Sequence, residues 1–144
     1  MPDLEERFSG ALHNASRAWR QALDRRLKYL SVSQASWMTI AVAAKASGPL
    51  SQSELADRLA VEGATMVAMV DRLVKAGLVI REPSTTDRRV KRVVLTQAGN
   101  LIYDKVRAEA AAFRKELLAH TDPKKLLVAT ELLEGLQGIL DSVP

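Results

Sequence analysis

The heptapeptide TDRRVKR, residues 86–92, sets four cations in seven positions behind a single acid, Asp87. Such a cluster suits the binding of a polyanion, because guanidinium and ammonium groups hold phosphate oxygens and the counterions they displace drive association. A carboxylate within the cluster opposes that attraction unless it orients a neighbouring cation. The cluster belongs to a wider bias. Residues 58–92 carry eight Lys or Arg against four Asp or Glu, while residues 1–57 hold seven against six and residues 93–144 hold six against seven. The whole excess of a chain with net charge +4 therefore lies in one quarter of its length. That is the distribution of a local polyanion-binding surface.

Several other chemistries are excluded. With no cysteine, a disulfide framework, a thiolate metal site and a thiol redox switch are ruled out. His13 and His120 are too far apart in sequence to suggest a metal site, and neither has a nucleophile or acid partner nearby. The chain also lacks a Gly-rich phosphate loop and an H-E-x-x-H motif. We therefore expect a non-enzyme that needs no metal and no cofactor. No apolar run approaches the roughly 18 residues that would cross a bilayer. The N-terminal MPDLEERFSG is acidic and polar, unlike a signal peptide. A soluble, cytoplasmic, nucleoid-associated protein without a membrane partner is expected.

The cation cluster needs elements that position it. A chain of 144 residues, 47% hydrophobic but only 4% aromatic, is about one domain long and favours helices. From Asp3 to about Leu30, the residues Leu4, Phe8, Leu12, Ala15, Trp19, Leu23, Leu27 and Leu30 recur at three- and four-residue steps. This spacing predicts one long amphipathic helix. Ser33 is the expected N-cap of a second helix that stops near Ser47, before Gly48 and Pro49. Ser51 and Glu54 spell a capping box. The short helix it opens runs through Leu55 and Leu59 and breaks at Glu62 and Gly63. Another follows through Met66, Met69, Val70 and Leu73 and ends at Gly77. Leu55, Leu59, Val61, Met66 and Met69 are spaced to pack these two helices across each other, with Ala56 and Ala60 small where the backbones approach.

Beyond Gly77 the period changes. LVIRE and VKRVVL are β-branched runs separated by PSTTDRR, which predicts a two-stranded hairpin with the cations at its tip. Thr96 should cap a helix over about 97–120, and Asp122 with Pro123 should open the last. The expected chain is mainly α with a small β-hairpin, in the order α-α-α-α-β-β-α-α. It forms a single domain over 1–144, with a winged helix-turn-helix lobe over about 33–95 and dimerisation helices over about 3–30 and 97–143. The apolar faces outside the lobe exceed what one small winged domain can cover, so a homodimer is expected.

This arrangement suits duplex DNA. The helix over 63–76 fits a major groove about 12 Å wide, with its first residues toward base edges. The wing, 83–92, extends to the side, where Arg enters a narrow minor groove or meets phosphates. A twofold dimer then calls for a pseudo-palindromic site with half-sites about 10 base pairs apart.

The block LVKAGLVIREPSTTDRRVKRVVLTQAG resembles the signature of MarR-type transcriptional regulators: Gly77-Leu78-Val79 leading into the wing, D-R-R at its tip and L-T-x-x-G leaving it. The similarity extends over the whole chain, and SRAWRQALDRRLKYLSVSQASWMTI further resembles the SlyA branch. The resemblance implies that Arg89 enters the minor groove and that Asp87 holds it extended. It leaves Arg88, Lys91 and Arg92 as candidates to contact phosphate, although alternation along a strand keeps Lys91 and Arg92 from both facing the DNA, and it places Gly63, Ala64 and Thr65 near bases and Arg72 near a phosphate. Ser51, Met66 and Thr86 complete the expected DNA-facing set. Ala68 stands where the SlyA pattern has an Arg, so that branch's operator preference is not carried over.

The same resemblance implies a cleft for small aromatic or phenolic carboxylates, lined here by Asn14, Arg17 and Trp37, with Arg20 as an addition. A guanidinium suits a carboxylate and an indole suits a ring. Ala41 replaces a polar residue of that cleft. The leading expectation is a dimeric, sequence-specific repressor relieved by such a ligand. The alternative is a constitutive or silencer-antagonising architectural protein without an effector.

Overall fold

Five helices start on a side-chain cap that the sequence supplies. In the computed structural model, which describes Met1 and residues 3–144, Asp3 accepts from the Glu6 N–H at 2.7 Å and opens α1, Leu4–Arg26. Ser33 caps α2, Gln34–Lys45, through the Ser36 N–H at 3.1 Å. Ser51 and Glu54 form the full reciprocal box at the start of α3, Gln52–Leu59. Thr96 caps α5, Gln97–Leu118, through the Gly99 N–H. Asp122 accepts from Lys124, with Pro123 in the first turn of α6, Pro123–Asp141. The exception is α4, Gly63–Lys75, whose N-cap Glu62 makes no side-chain bond. Each such cap is worth about 1 kcal/mol.

Two expectations about the helices are corrected. The long first helix ends at Arg26 and is followed by a 3-10 turn at Lys28–Leu30, with Ser31 in the left-handed region at φ 56°. Leu23 and Leu27 are buried, so the chain reverses just after its anchoring residues and leads into α2. Ala60 does not sit at a helix crossing. It is exposed and left-handed at φ 54°, closing the end of α3 where glycine would be less strained.

The hairpin also gains a strand. β1, Leu50–Ser51, pairs with β3, Lys91–Leu95, which pairs in turn with β2, Val79–Pro83; the antiparallel order is β1-β3-β2. In register, Arg81 lies opposite Val93, and Arg92 lies between Glu82 and Ser51. Alternation therefore puts Val79, Arg81 and Val93 on the face toward the helices and Glu82 and Arg92 on the other. Val79 and Val93 join Ile40, Leu50, Leu55, Ala56, Met66, Met69, Val70 and Leu73 in one buried core.

The base of the wing is stitched to the start of α5. Gly77 takes φ 76°, and its carbonyl accepts from the Thr96 hydroxyl at 2.6 Å. The Thr96 N–H donates to the Leu78 carbonyl at 3.1 Å. A Cβ on Gly99 would run into that same carbonyl oxygen. The L-T-x-x-G motif thus has a physical role as the joint between wing and helix.

Residues 1–111 form one compact unit and residues 112–144 a second. In the first, Arg26 of α1 pairs with Glu109 of α5 at 3.2 Å. Among the described residues, no helix is long and apolar enough to cross a membrane, and no group of metal-ligating side chains comes together.

Candidate nucleic-acid interface

The loop over 84–90 joins β2 to β3 and carries the cation cluster. Ser84 closes it by donating its N–H to the Val90 carbonyl at 2.7 Å, and its hydroxyl meets Thr86 Oγ1 at 3.1 Å. At the tip, Asp87 and Arg89 form a clamp. Asp87 Oδ1 accepts from the Arg89 N–H at 3.0 Å and from Arg89 Nε at 3.2 Å, while Oδ2 accepts from Nη2 at 3.4 Å. The Arg89 side chain is 91% exposed despite these bonds. The Arg89 guanidinium, and then its backbone N–H, hold the Asp87 carboxyl below its ordinary range. The acid in TDRRVKR thus fixes the direction of one arginine and leaves Arg88 and Lys91 exposed beside it.

Beneath the wing, Arg81 ties three elements together. Its Nε donates to Gln52 Oε1 of α3 at 2.7 Å. Its Nη2 donates to the Val67 carbonyl at 3.3 Å and to Asp71 Oδ1 at 2.6 Å, both on α4. A strand residue of the wing is therefore bonded to both helices of the helix-turn-helix. Sequence reasoning missed this link. The available signal was the position of Arg81 two residues from Val79, on the core-facing side of β2.

The expected α4 residues divide by burial. Gly63, Ala64 and Thr65 are exposed at the start of the helix, and Arg72 is exposed two turns later with Nη2 3.9 Å from Met69 Sδ. Met66 is placed differently. It is 2% exposed and belongs to the core, because it falls on the same stripe as Met69, Val70 and Leu73. Ser51 is likewise 8% exposed, with its hydroxyl committed to the capping box. These two residues support the interface from within rather than facing a ligand.

A half-open pocket of about 160 Å³ lies between α2, the end of α3 and α4, lined by Gln34, Ala35, Met38 and Thr39 of α2, Leu59 and Val61 at the end of α3, and Thr65, Met66 and Met69 of α4. Its walls are largely apolar, and no basic side chain lines it. The expected effector residues lie elsewhere. Asn14 and Arg17 are exposed on α1, and Arg20 donates to Ser16 Oγ at 2.8 Å. Trp37 is 5% exposed, and its ring N–H donates to Asp24 Oδ1 at 2.8 Å. That bond, against the opposing effect of burial and with help from Lys28, holds the Asp24 carboxyl below its ordinary range. Trp37 is thus a core residue whose polar edge is already bonded.

Comparison with known proteins agrees with this geometry. The family model described as the MarR family matches residues 38–91. The solved structure of the transcriptional regulator PA3341 is 34% identical, with TM-score 0.87, and the alignment covers 94% of this chain and 99% of that one. CouR from Rhodococcus jostii RHA1, solved bound to p-coumaroyl-CoA, shares the fold at 20% identity and TM-score 0.82, over 100% of this chain and 99% of that one. The organohalide-sensing regulator RdhR-CbdbA1625, solved in a 2,4-dichlorophenol-bound form, shares it at 19% identity and TM-score 0.78, over 96% of this chain and 82% of that one.

Proposed function

The chain belongs to the MarR family of transcriptional regulators, and from that premise we propose that it is a dimeric, sequence-specific repressor that inserts α4 into the major groove and the 83–92 wing into the minor groove. The observation that carries this reading is the Asp87–Arg89 clamp at the wing tip. A guanidinium held by Asp87, 91% exposed and flanked by further cations, has already lost part of the freedom that DNA binding would cost it. The start of α4 supports the reading: its amides carry no side-chain cap, and such amides bond phosphate oxygens well. Gly63, Ala64 and Thr65 are small enough for close approach.

Dimerisation is supported by apolar side chains left in solvent. On α1 these include Leu4, Phe8 and Leu12, and on α6 Leu127, Val128, Leu132 and Ile139. Monomers rarely leave so much apolar side chain exposed. A twofold dimer presents two copies of α4 to two half-sites.

The pocket between α2, α3 and α4 favours relief by a single-ring aromatic ligand. Its volume is close to that of an engineered apolar cavity of about 150 Å³ that binds benzene. Thr65 and Met66 form its wall from the first turn of α4, so an occupant that alters the seating of that turn alters the DNA-facing residues with it. Regulation requires only that the ligand bind one seating better than the other. With Gln34, Thr39 and Thr65 as the polar groups and no cation in the lining, a neutral phenol fits better than the carboxylate expected at Arg17.

The test is a titration of purified protein against a selected palindromic duplex and a random duplex at several salt concentrations, with and without phenol or benzoate. The reading predicts tighter binding of the palindrome at every salt concentration, and weakening by phenol more than by benzoate. Equal affinity for both duplexes would overturn sequence-specific regulation. Preference without any ligand effect would instead favour the constitutive architectural role.

A further inference from the structure

Over its first two turns, the outward face of α4 is built mainly from methyl groups. Met66, Met69, Val70 and Leu73 bury one stripe, so at about 100° per residue the opposite stripe is Ala64, Ala68, Asp71 and Lys75, with Val67 and Thr65 beside it. Ala64, Val67 and Ala68 are all exposed, and Val67 keeps 41% of its surface. The first two turns of such a helix are those offered to base edges. Over Gly63–Val70 the sequence contains no Arg, Lys, Asn, Gln, Asp or Glu. These are the side chains that read guanine, adenine and cytosine by hydrogen bonds. The only side-chain hydroxyl in the stretch is that of Thr65, and the Met69 sulfur is turned inward, where it accepts from Ser36 Oγ.

One base-edge feature matches a surface of methyl groups. The thymine C5-methyl is apolar, lies in the major groove and distinguishes T from the other bases. Asp71, the single acid on α4, is bonded to Arg81 at 2.6 Å and so is engaged away from a cytosine amino group. Arg72 and Lys75 on the same helix, and Arg88, Arg89 and Lys91 on the wing, are exposed cations outside the apolar patch. That complementarity fits a duplex, whose phosphates meet the cations while the groove floor meets the methyls.

We propose that α4 selects its half-site by packing Ala64, Val67 and Ala68 against thymine C5-methyl groups, so that a T-rich element is read by apolar contact. This inference rests on the DNA-binding reading above and adds the class of sequence that the helix recognises.

The test leaves the protein unaltered. A duplex is first selected from a random pool with the full chain, and each thymine is then replaced by deoxyuridine, which removes only the methyl. At the major-groove thymines of a half-site, each replacement should raise Kd about fourfold, the worth of one methyl group returned to water. Paired replacement in both half-sites should give about sixteenfold. Thymines under the wing should change Kd less than about twofold, because the methyl is absent from the minor groove. Val67→Ser, which removes both methyls at an exposed position, should abolish the sensitivity at one thymine. A selected duplex on which every replacement stays within about twofold, less than one methyl is worth, would overturn methyl readout while the regulator reading stood. A pool that never enriches, with all duplexes bound equally, would overturn both.

Discussion

Replacing Arg81 by Met keeps the aliphatic stem and removes the guanidinium that joins the wing to α3 and α4. The ion pair to Asp71 contributes little, roughly 0.5 kcal/mol, because Asp71 is 62% exposed and solvent screens it. The 2.7 Å bond to Gln52 is charge-assisted and partly buried, worth about 1.5 kcal/mol. The 3.3 Å bond to the Val67 carbonyl is long and adds at most about 0.5 kcal/mol. The loss in stability is therefore about 2 kcal/mol, to be read from urea midpoints at constant slope. A domain with the usual 5–15 kcal/mol stays almost wholly folded after that loss, so unfolding cannot account for a change in DNA affinity. Affinity should nevertheless fall by roughly tenfold, because α4 and the wing lose their common register and the exposed Asp71 carboxylate loses the guanidinium that balances it. Fluorescence anisotropy with a selected duplex reads this directly. Asp71→Asn in the Arg81→Met background should recover part of the loss, and Asp71→Asn alone should bind no more weakly than wild type. If Arg81→Met kept both its urea midpoint and its affinity, the cross-link would be incidental and the reasoning would fail.

Three further outcomes follow from the geometry. Asp87→Ala removes a negative charge beside DNA yet should weaken binding roughly 2- to 10-fold, because Arg89 must then be ordered on binding; tighter binding in an anisotropy titration would contradict the clamp. Gly99→Ala forces a Cβ against the Leu78 backbone and should destabilise by about 1–3 kcal/mol, read as a lower Tm with far-UV circular dichroism unchanged at 25 °C. Asp24 has a folded-state pKa below its unfolded one, so its ionised form contributes stability in full above the ordinary carboxylate range, and that contribution is lost as the pH falls through the folded value. Asp24→Asn should show a shallower acid limb than wild type when tryptophan fluorescence follows urea unfolding from neutral to acidic pH. Superimposable limbs would show that the Trp37 bond carries no such linkage.

Much of this molecule is legible in its sequence because its signals are local. Asp3, Ser33, Ser51, Thr96 and Asp122 each cap within three residues, so the helix starts could be placed one by one. The wing was equally plain, since β-branched runs on either side of PSTTDRR change the period. What escaped depends on distance. β1 is two residues long and carries no alternation to read, and its Ser51 is also the N-cap of α3. Arg81 meets partners 10, 14 and 29 positions away, and a strand cation seen in isolation is only a charge. Met66 lies one residue beyond the exposed Thr65, and only helix phase separates an outward position from a core one. The pocket is assembled from α2, α3 and α4, so no single stretch announces it. Trp37 shows the limit of residue type as a guide. An indole suits an aromatic ligand, but this one is buried against Asp24.

In the proposed complex the wing enters the minor groove through Arg89 while α4 occupies the major groove. Paired footprinting separates the two: hydroxyl radicals attack deoxyribose from the minor groove, and dimethyl sulfate methylates guanine N7 in the major groove. On a selected duplex, we expect two outer windows of hydroxyl-radical protection that vanish in Arg89→Ala, with the inner dimethyl sulfate pattern kept at saturating protein. Outer protections that survive in Arg89→Ala unchanged would contradict this arrangement.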